Sequence, residues 1–391
     1  VSVAERFDVL IVGGGIHGVG VAQAAAAAGY SVLLLEQTSL AAGTSSRSSK
    51  LIHGGLRYLE TLHFGLVRES LRERELLLKL APELVRRQMF MIPIYPFTSR
   101  RPWTLNLGLS LYTILAGLRS RSGFRSIPPS EWSRLDGLRT DDLQKVLQYW
   151  DAQTDDLRLT QAVMDSAISL GAELRCPAEF LEASVTSAGC IARFRQADAE
   201  HEVHATVLVN AAGPWGTDIA ARIRPAPPTP AVDLVQGTHL ELPGAITAGC
   251  YYLEAPQDGR AVFVMPWHDR TLLGTTELVY HGNPAKCSAT LTETHYLLEV
   301  FQYYFPQRNT DVLDQWAGLR VLPSSKANAS KRSRETQLPV DNERQPRVLS
   351  IFGGKLTGYR ATAEKVVQRL KLTLPERKPV ASTSKLPLRP R

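Results

Sequence analysis

The chain has little cysteine. Four residues (Cys176, Cys190, Cys250 and Cys287) are spread over 391 positions without a Cys-x-x-Cys pair. That spacing excludes a disulfide framework and a cysteine zinc site, and it fits a reducing compartment. No metal centre is expected. A spanning helix needs about 20 consecutive apolar residues, and no such run occurs. The opening VSVAERFDVLIVGGG places an acid before its apolar run and has no small-residue cleavage site, so no signal peptide is expected. No internal repeat is present. Acid is in short supply too: 45 Lys and Arg against 38 Asp and Glu leave a net charge of +7. A basic balance suits anionic substrates, lipid headgroups or nucleic acid, but no nucleic-acid motif accompanies it, so no nucleic-acid partner is expected.

With hydrophobic residues at 44%, the chain can bury a core. Residues 7–12, FDVLIV, form an apolar run suited to a buried parallel strand. It leads into Gly13-Gly14-Gly15-Ile16-His17-Gly18, a G-x-G-x-x-G through Gly13, Gly15 and Gly18. An alanine-rich helix follows and closes at Gly29, and a second strand, SVLLLE, ends in Glu36. Strand, glycines, helix, strand and terminal acid together make a dinucleotide fingerprint. The glycines let backbone approach a pyrophosphate at the helix N-terminus, with Ile16 opening that helix. Glu36 can accept from both ribose hydroxyls. NAD and FAD both satisfy this pattern.

Two later segments favour FAD. ATVLVNAAGPW (205–215) is a buried strand ending in small residues, Ala212 and Gly213, before Trp215. LSIFGGKLTGYR (349–360) brings Gly353 and Gly354 to the start of a second helix, with Lys355, Leu356 and Thr357 beside them. A second helix N-terminus suits the electron-rich edge of a reduced flavin.

The fingerprint, TSSRSSKLIHGGLRYLE, LVNAAGPW, VFVMPW, LLGTTE, AGLR (317–320) and SIFGGKLTGYR stand in this order over nearly the whole chain. In this the sequence resembles the FAD-dependent glycerol-3-phosphate dehydrogenases, within the D-amino-acid-oxidase-like flavoproteins. The resemblance implies an α/β fold with an α+β second lobe: a Rossmann-like FAD-binding domain carrying an inserted antiparallel-sheet substrate domain. The expected division is 1–90, 150–224 and 340–375 for the FAD domain, 91–149 and 225–339 for the substrate domain, and 376–391 for a basic tail. YYLEA, AVFVMPW and TLLGTTE read as strands of the second lobe, and 66–86 as a helix whose leucine stripe packs into core.

It further implies that Thr44, Ser45, Ser48 and Ser49 bond flavin or phosphate oxygens, and that Leu51, His53, Gly54 and Gly55 lie along the flavin. Arg57 and Tyr58 face the substrate. Arg320, Lys355 and His239 match other substrate-site positions, and Arg334 matches a further phosphate-binding arginine across a one-residue gap. The implied reaction is oxidation of sn-glycerol 3-phosphate to dihydroxyacetone phosphate, with a quinone receiving the electrons. A phosphate monoester is close to dianionic and is held well by converging cations. Arginine is a poor base, so His239 is the expected proton acceptor, with His53 and Lys355 as alternatives. Rival readings are an O2-using oxidase, a flavoenzyme acting on another 2-hydroxy acid or an amine, and a non-catalytic flavoprotein.

Residues 100–125 have an apolar centre flanked by arginines. They fit either a helix lying in a lipid interface or a buried helix of the second lobe. A cytoplasmic protein, held peripherally at the inner face of the cell membrane in the first case, would suit a quinone acceptor. The sequence fixes no oligomeric state. It departs from the family at Val321, where proline is usual, and at Arg391, past which the family usually continues into a C-terminal helical domain.

Overall fold

A computed structural model describes residues 5–56, 63–100, 102–117, 123–325 and 335–390. Two sheets organise them. In the first, the strand Glu5–Val12 pairs in parallel with Val32–Leu35 on one side and with Ala199–Asn210 on the other. Glu173–Arg175 extends it beyond Val32–Leu35, and Val348–Ser350 lies parallel to the end of Ala199–Asn210. Strands buried on both faces read as continuous apolar runs, which is why FDVLIV and VLVN are uninterrupted. The helix Ile16–Ala27 packs against this sheet and against the helices Asp156–Ser169 and Tyr359–Leu370. Gly20 permits the close approach of Tyr359–Leu370: a methyl group there would come within 2.8 Å of the Tyr359 ring.

The second sheet is built on the long pair Val232–Leu242 and Asp314–Pro323. Arg270–Gly274, Ala261–Trp267 and Cys250–Glu254 follow in order, so YYLEA, AVFVMPW and TLLGTTE form strands as expected. The pairing is antiparallel except where Cys250–Tyr251 runs alongside Phe90–Met91. Two expected domain junctions, at 90/91 and 149/150, fall inside the paired strands Val85–Ile94 and Lys145–Thr154, which both belong to this second sheet. The sequence offered no turn signal there because these strands run on unbroken. Leu51–Ile52, in the serine-rich segment, also pairs into this sheet.

The helix expected over 66–86 is Phe64–Leu80. Pro82 follows directly, and the chain turns at 81–84 into the strand Val85–Ile94. Its Val67, Leu71 and Leu77 are buried as the stripe requires, but so are Glu73 and Arg74. Glu73 forms a two-point ion pair with Arg360 at 2.7 and 2.8 Å, tying this helix to Tyr359–Leu370. The basic tail also packs onto the body: Val380 N and Ala381 N donate to Ala27 O, and Leu388, itself buried, donates to Leu80 O. The apolar segment at 100–125 contains the helix Pro102–Leu115, with Leu105, Leu109 and Tyr112 buried. On its opposite side Trp103, Leu107 and Ile114 are 65%, 65% and 63% exposed. No described helix is long and apolar enough to cross a membrane.

Candidate active site

A cleft of about 470 Å³ lies where the two sheets meet, and the candidate residues gather along it. Of the residues expected along the cofactor, Gly18, Gly54 and Gly55 are absent from its lining; the others all line it. His239, Arg320, Lys355 and His53 line it as well. Arg57, Tyr58 and Arg334 lie outside the described residues.

At one end the wall is the glycine turn. Gly13 has φ +110°, and a methyl group there would sit 2.7 Å from Ala211 O. Gly18 lies behind the wall, where a methyl group would sit 1.9 Å from Gly13 O. Glu36 folds across the turn: Gly14 N donates to its Oε2 at 2.7 Å and Thr38 N to its Oε1 at 2.9 Å. Oε1 also accepts from Thr38 Oγ1 at 3.1 Å, so Oε2 is the oxygen that keeps a lone pair for a ribose hydroxyl.

The serine-rich segment connects this end to the other, and all four expected hydroxyls have partners within the protein. Ser45 Oγ accepts from Ile16 N at 2.9 Å and so keeps its own proton for a ligand oxygen. Thr44 donates to Leu319 O at 2.6 Å and Ser48 to Asp156 Oδ2 at 2.7 Å, so these two present only lone pairs to the cleft. Ser49 Oγ lies 2.9 Å from His239 Nε2. Gly54 is held behind the wall: its N–H donates to the Tyr112 hydroxyl at 2.9 Å, within a buried cluster that includes Asp151 and Arg74.

The far end is organised by buried charge. Lys50, 5% exposed, donates to Asp156 Oδ1 at 2.6 Å and to Ser46 O at 3.0 Å. Its ammonium lies 5.0 Å from the Trp267 ring centre and 5.4 Å from that of Trp316. Trp316 stacks on His239 at 5.7 Å. Burial pushes the His239 pKa down to about 3, and the nearby charges of Arg320 and Lys50 push the same way, so its imidazole is neutral. Arg320 reaches across Gly237, donating to Glu277 at 3.2 Å and to Thr275 Oγ1 at 3.0 Å. At the C-terminal glycines, Gly353 and Gly354 have φ +78° and +96°, and Thr357 Oγ1 accepts from His53 N at 3.1 Å.

Sequence reasoning missed His17, Lys50, Asp156, Trp316 and Glu277. Lys50 and Glu277 sat inside quoted motifs without a role. Asp156 carried one usable signal, an acid in the first turn of a helix. Nothing in the spacing brings Trp316 to His239.

A family model described as FAD dependent oxidoreductase matches residues 8–359. The chain is 39% identical to a glycerol-3-phosphate dehydrogenase of Pseudomonas aeruginosa over 98% of this chain and 75% of the relative. It is 36% identical to a D-erythritol 1-phosphate dehydrogenase of Brucella abortus over 95% of this chain and 75% of the relative. Among solved structures, the FAD complex of glycerol-3-phosphate dehydrogenase from Bacillus halodurans superposes with a TM-score of 0.75 at 26% identity, covering 98% of this chain and 68% of that one. The cleft fits FAD: the Gly13–Gly18 turn leaves no room for side chains where a pyrophosphate approaches, Glu36 Oε2 keeps a lone pair for ribose, and a second glycine pair, Gly353–Gly354, leads through the turn Leu356–Gly358 into the helix Tyr359–Leu370 at the other end. By the matched model, the identities and this fit, the chain belongs to the FAD dependent oxidoreductase family.

Proposed function

We propose that the protein oxidises sn-glycerol 3-phosphate at C2 to dihydroxyacetone phosphate and passes the electrons to a quinone. The observation that carries this reading is the meeting of Arg320 and Lys355 with two histidines in the cleft that fits FAD. Arg320 and Lys355 supply cationic donors for a phosphate monoester, and Glu277 and Thr275 hold the Arg320 guanidinium in place. Bound FAD supplies the two-electron acceptor for the C2 hydride. His239 takes the C2 hydroxyl proton in this reading: its imidazole is neutral, the Ser49 hydroxyl holds Nε2 in orientation, and the substrate phosphate paired with Arg320 offsets the cationic charge that weakens it as a base. His53 and Lys355 are the alternative acceptors. Arg57, Tyr58 and Arg334 complete the substrate site in this reading.

The Brucella abortus relative favours a second reading, oxidation of D-erythritol 1-phosphate, a longer polyol phosphate that needs the same cationic end. Anaerobic bleaching of the bound flavin separates the two. Glycerol 3-phosphate is expected to bleach it at lower concentration than erythritol 1-phosphate; the reverse order selects the second reading, and bleaching by neither rejects both. Rapid peroxide formation on mixing the reduced protein with air would replace the quinone by O2.

The exposed face of Pro102–Leu115 supports a peripheral position on a lipid surface, where a quinone is available. Cosedimentation with anionic vesicles is expected, and Trp103→Ser is expected to reduce it. Equal recovery with and without vesicles would remove this part of the proposal.

A further inference from the structure

His17 is the second residue of the helix Ile16–Ala27 and lines the cleft between the two glycine turns. Its Nδ1 is cut off from solvent, and neither ring nitrogen has a hydrogen-bond partner among the described residues. An orphaned buried polar group costs about 1–3 kcal/mol, and such groups usually mark a missing partner. The C-terminal turn is also shaped around this ring. A methyl group on Gly354, at φ +96°, would sit 2.4 Å from His17 Nε2. An apolar side chain would fill the same space without the polar penalty, so packing alone does not account for an imidazole here. Burial lowers its pKa to about 4, so the ring is neutral and carries one N–H and one acceptor.

We propose that His17 is a further cofactor-binding residue, whose neutral imidazole donates a hydrogen bond through Nε2, the ring nitrogen not cut off from solvent, to an oxygen of FAD in the span between the Gly13–Gly18 turn and the Gly353–Gly354 turn. The proposal rests on FAD being the cofactor. It gives the first turn a side-chain contact in addition to its backbone donors, and it makes one ring the link between the N-terminal and C-terminal halves of the cofactor site.

The test is FAD titration of flavin-stripped protein, followed by flavin fluorescence, for wild type, His17→Phe and His17→Asn. His17→Phe is expected to bind FAD about tenfold more weakly. His17→Asn, which restores an N–H, is expected to recover most of that loss. The thermal midpoint of the stripped protein should be unchanged or raised in His17→Phe, because the buried, unpartnered Nδ1 is gone; a purely structural histidine would lower it. If Phe prevents folding, His17→Ala is smaller than the native ring and carries the same binding expectation. Binding within twofold of wild type in the Phe or Ala variant overturns the proposal. Failure of the wild type itself to bind FAD would instead break the cofactor assignment.

Discussion

The glycine end and the cationic end of the cleft are shaped by different forces. Around Gly13–Gly18 the limit is room, with a Cβ at position 18 forced to within 1.9 Å of a carbonyl oxygen. Around His239 the limit is charge: Lys50 is neutralised by Asp156, Arg320 by Glu277, and a neutral imidazole sits nearby. The glycine end should therefore fail by collision, in one step and at one residue. The cationic end should fail by unpaired charge, and removing both members of a pair should largely repair it.

The largest expected effect is Gly18→Ala. Its methyl group must push the Gly13 peptide out of the turn, and FAD binding should weaken by more than about 100-fold, read by flavin content after purification. Unchanged flavin content would mean that close approach does not shape this end. Next is Asp156→Ala, which leaves Lys50 buried without a counter-charge. A loss of about 3–5 kcal/mol is expected in urea unfolding, and adding Lys50→Met should restore most of it. If the double variant is no better than the single one, charge does not organise the far end. Arg320→Ala should keep its flavin but weaken phosphate-ester binding about 10–100-fold, measured by anaerobic bleaching. Loss of flavin would place Arg320 at the glycine end instead.

The smallest effect per step is acid lability. His17 and His239 are lowered to about 4 and about 3, from an ordinary value of 6.5. Below pH 6.5 the unfolded chain binds protons that the native protein cannot, so stability is full above that pH. It falls by up to about 1.4 kcal/mol per pH unit for each histidine as pH drops toward the folded values. A thermal midpoint of the stripped protein that stays flat from pH 7 to 5 would contradict this. His239→Gln should flatten about half of the slope.

The same contrast explains what could be read from the sequence. The glycine end is local: strand, turn, helix and Glu36 lie within one continuous stretch, and steric demands leave their mark as glycine. Three strands of the second sheet, Cys250–Glu254, Ala261–Trp267 and Arg270–Gly274, were likewise legible from their apolar runs. The cationic end joins Lys50, Asp156, Trp316 and His239 from four distant segments, and a buried lysine has the same letter as a solvated one. Thr44 and Ser48 were expected at the cofactor from the family resemblance; their protein partners, Leu319 O and Asp156, come from distant segments that no local pattern announces. The expected junctions at 90/91 and 149/150 fall inside Val85–Ile94 and Lys145–Thr154, strands that carry no break there, whereas the chain passes between the two sheets in the segments 36–50 and 155–172.

The most direct test of the central claim, that one cleft joins an FAD site to a phosphate-ester site, is anaerobic titration of the flavin-loaded protein with sn-glycerol 3-phosphate. The account predicts stoichiometric bleaching of the flavin, with glycerol lacking the phosphate at least about 100-fold less effective. Equal bleaching by glycerol, or none by any polyol phosphate, would contradict it.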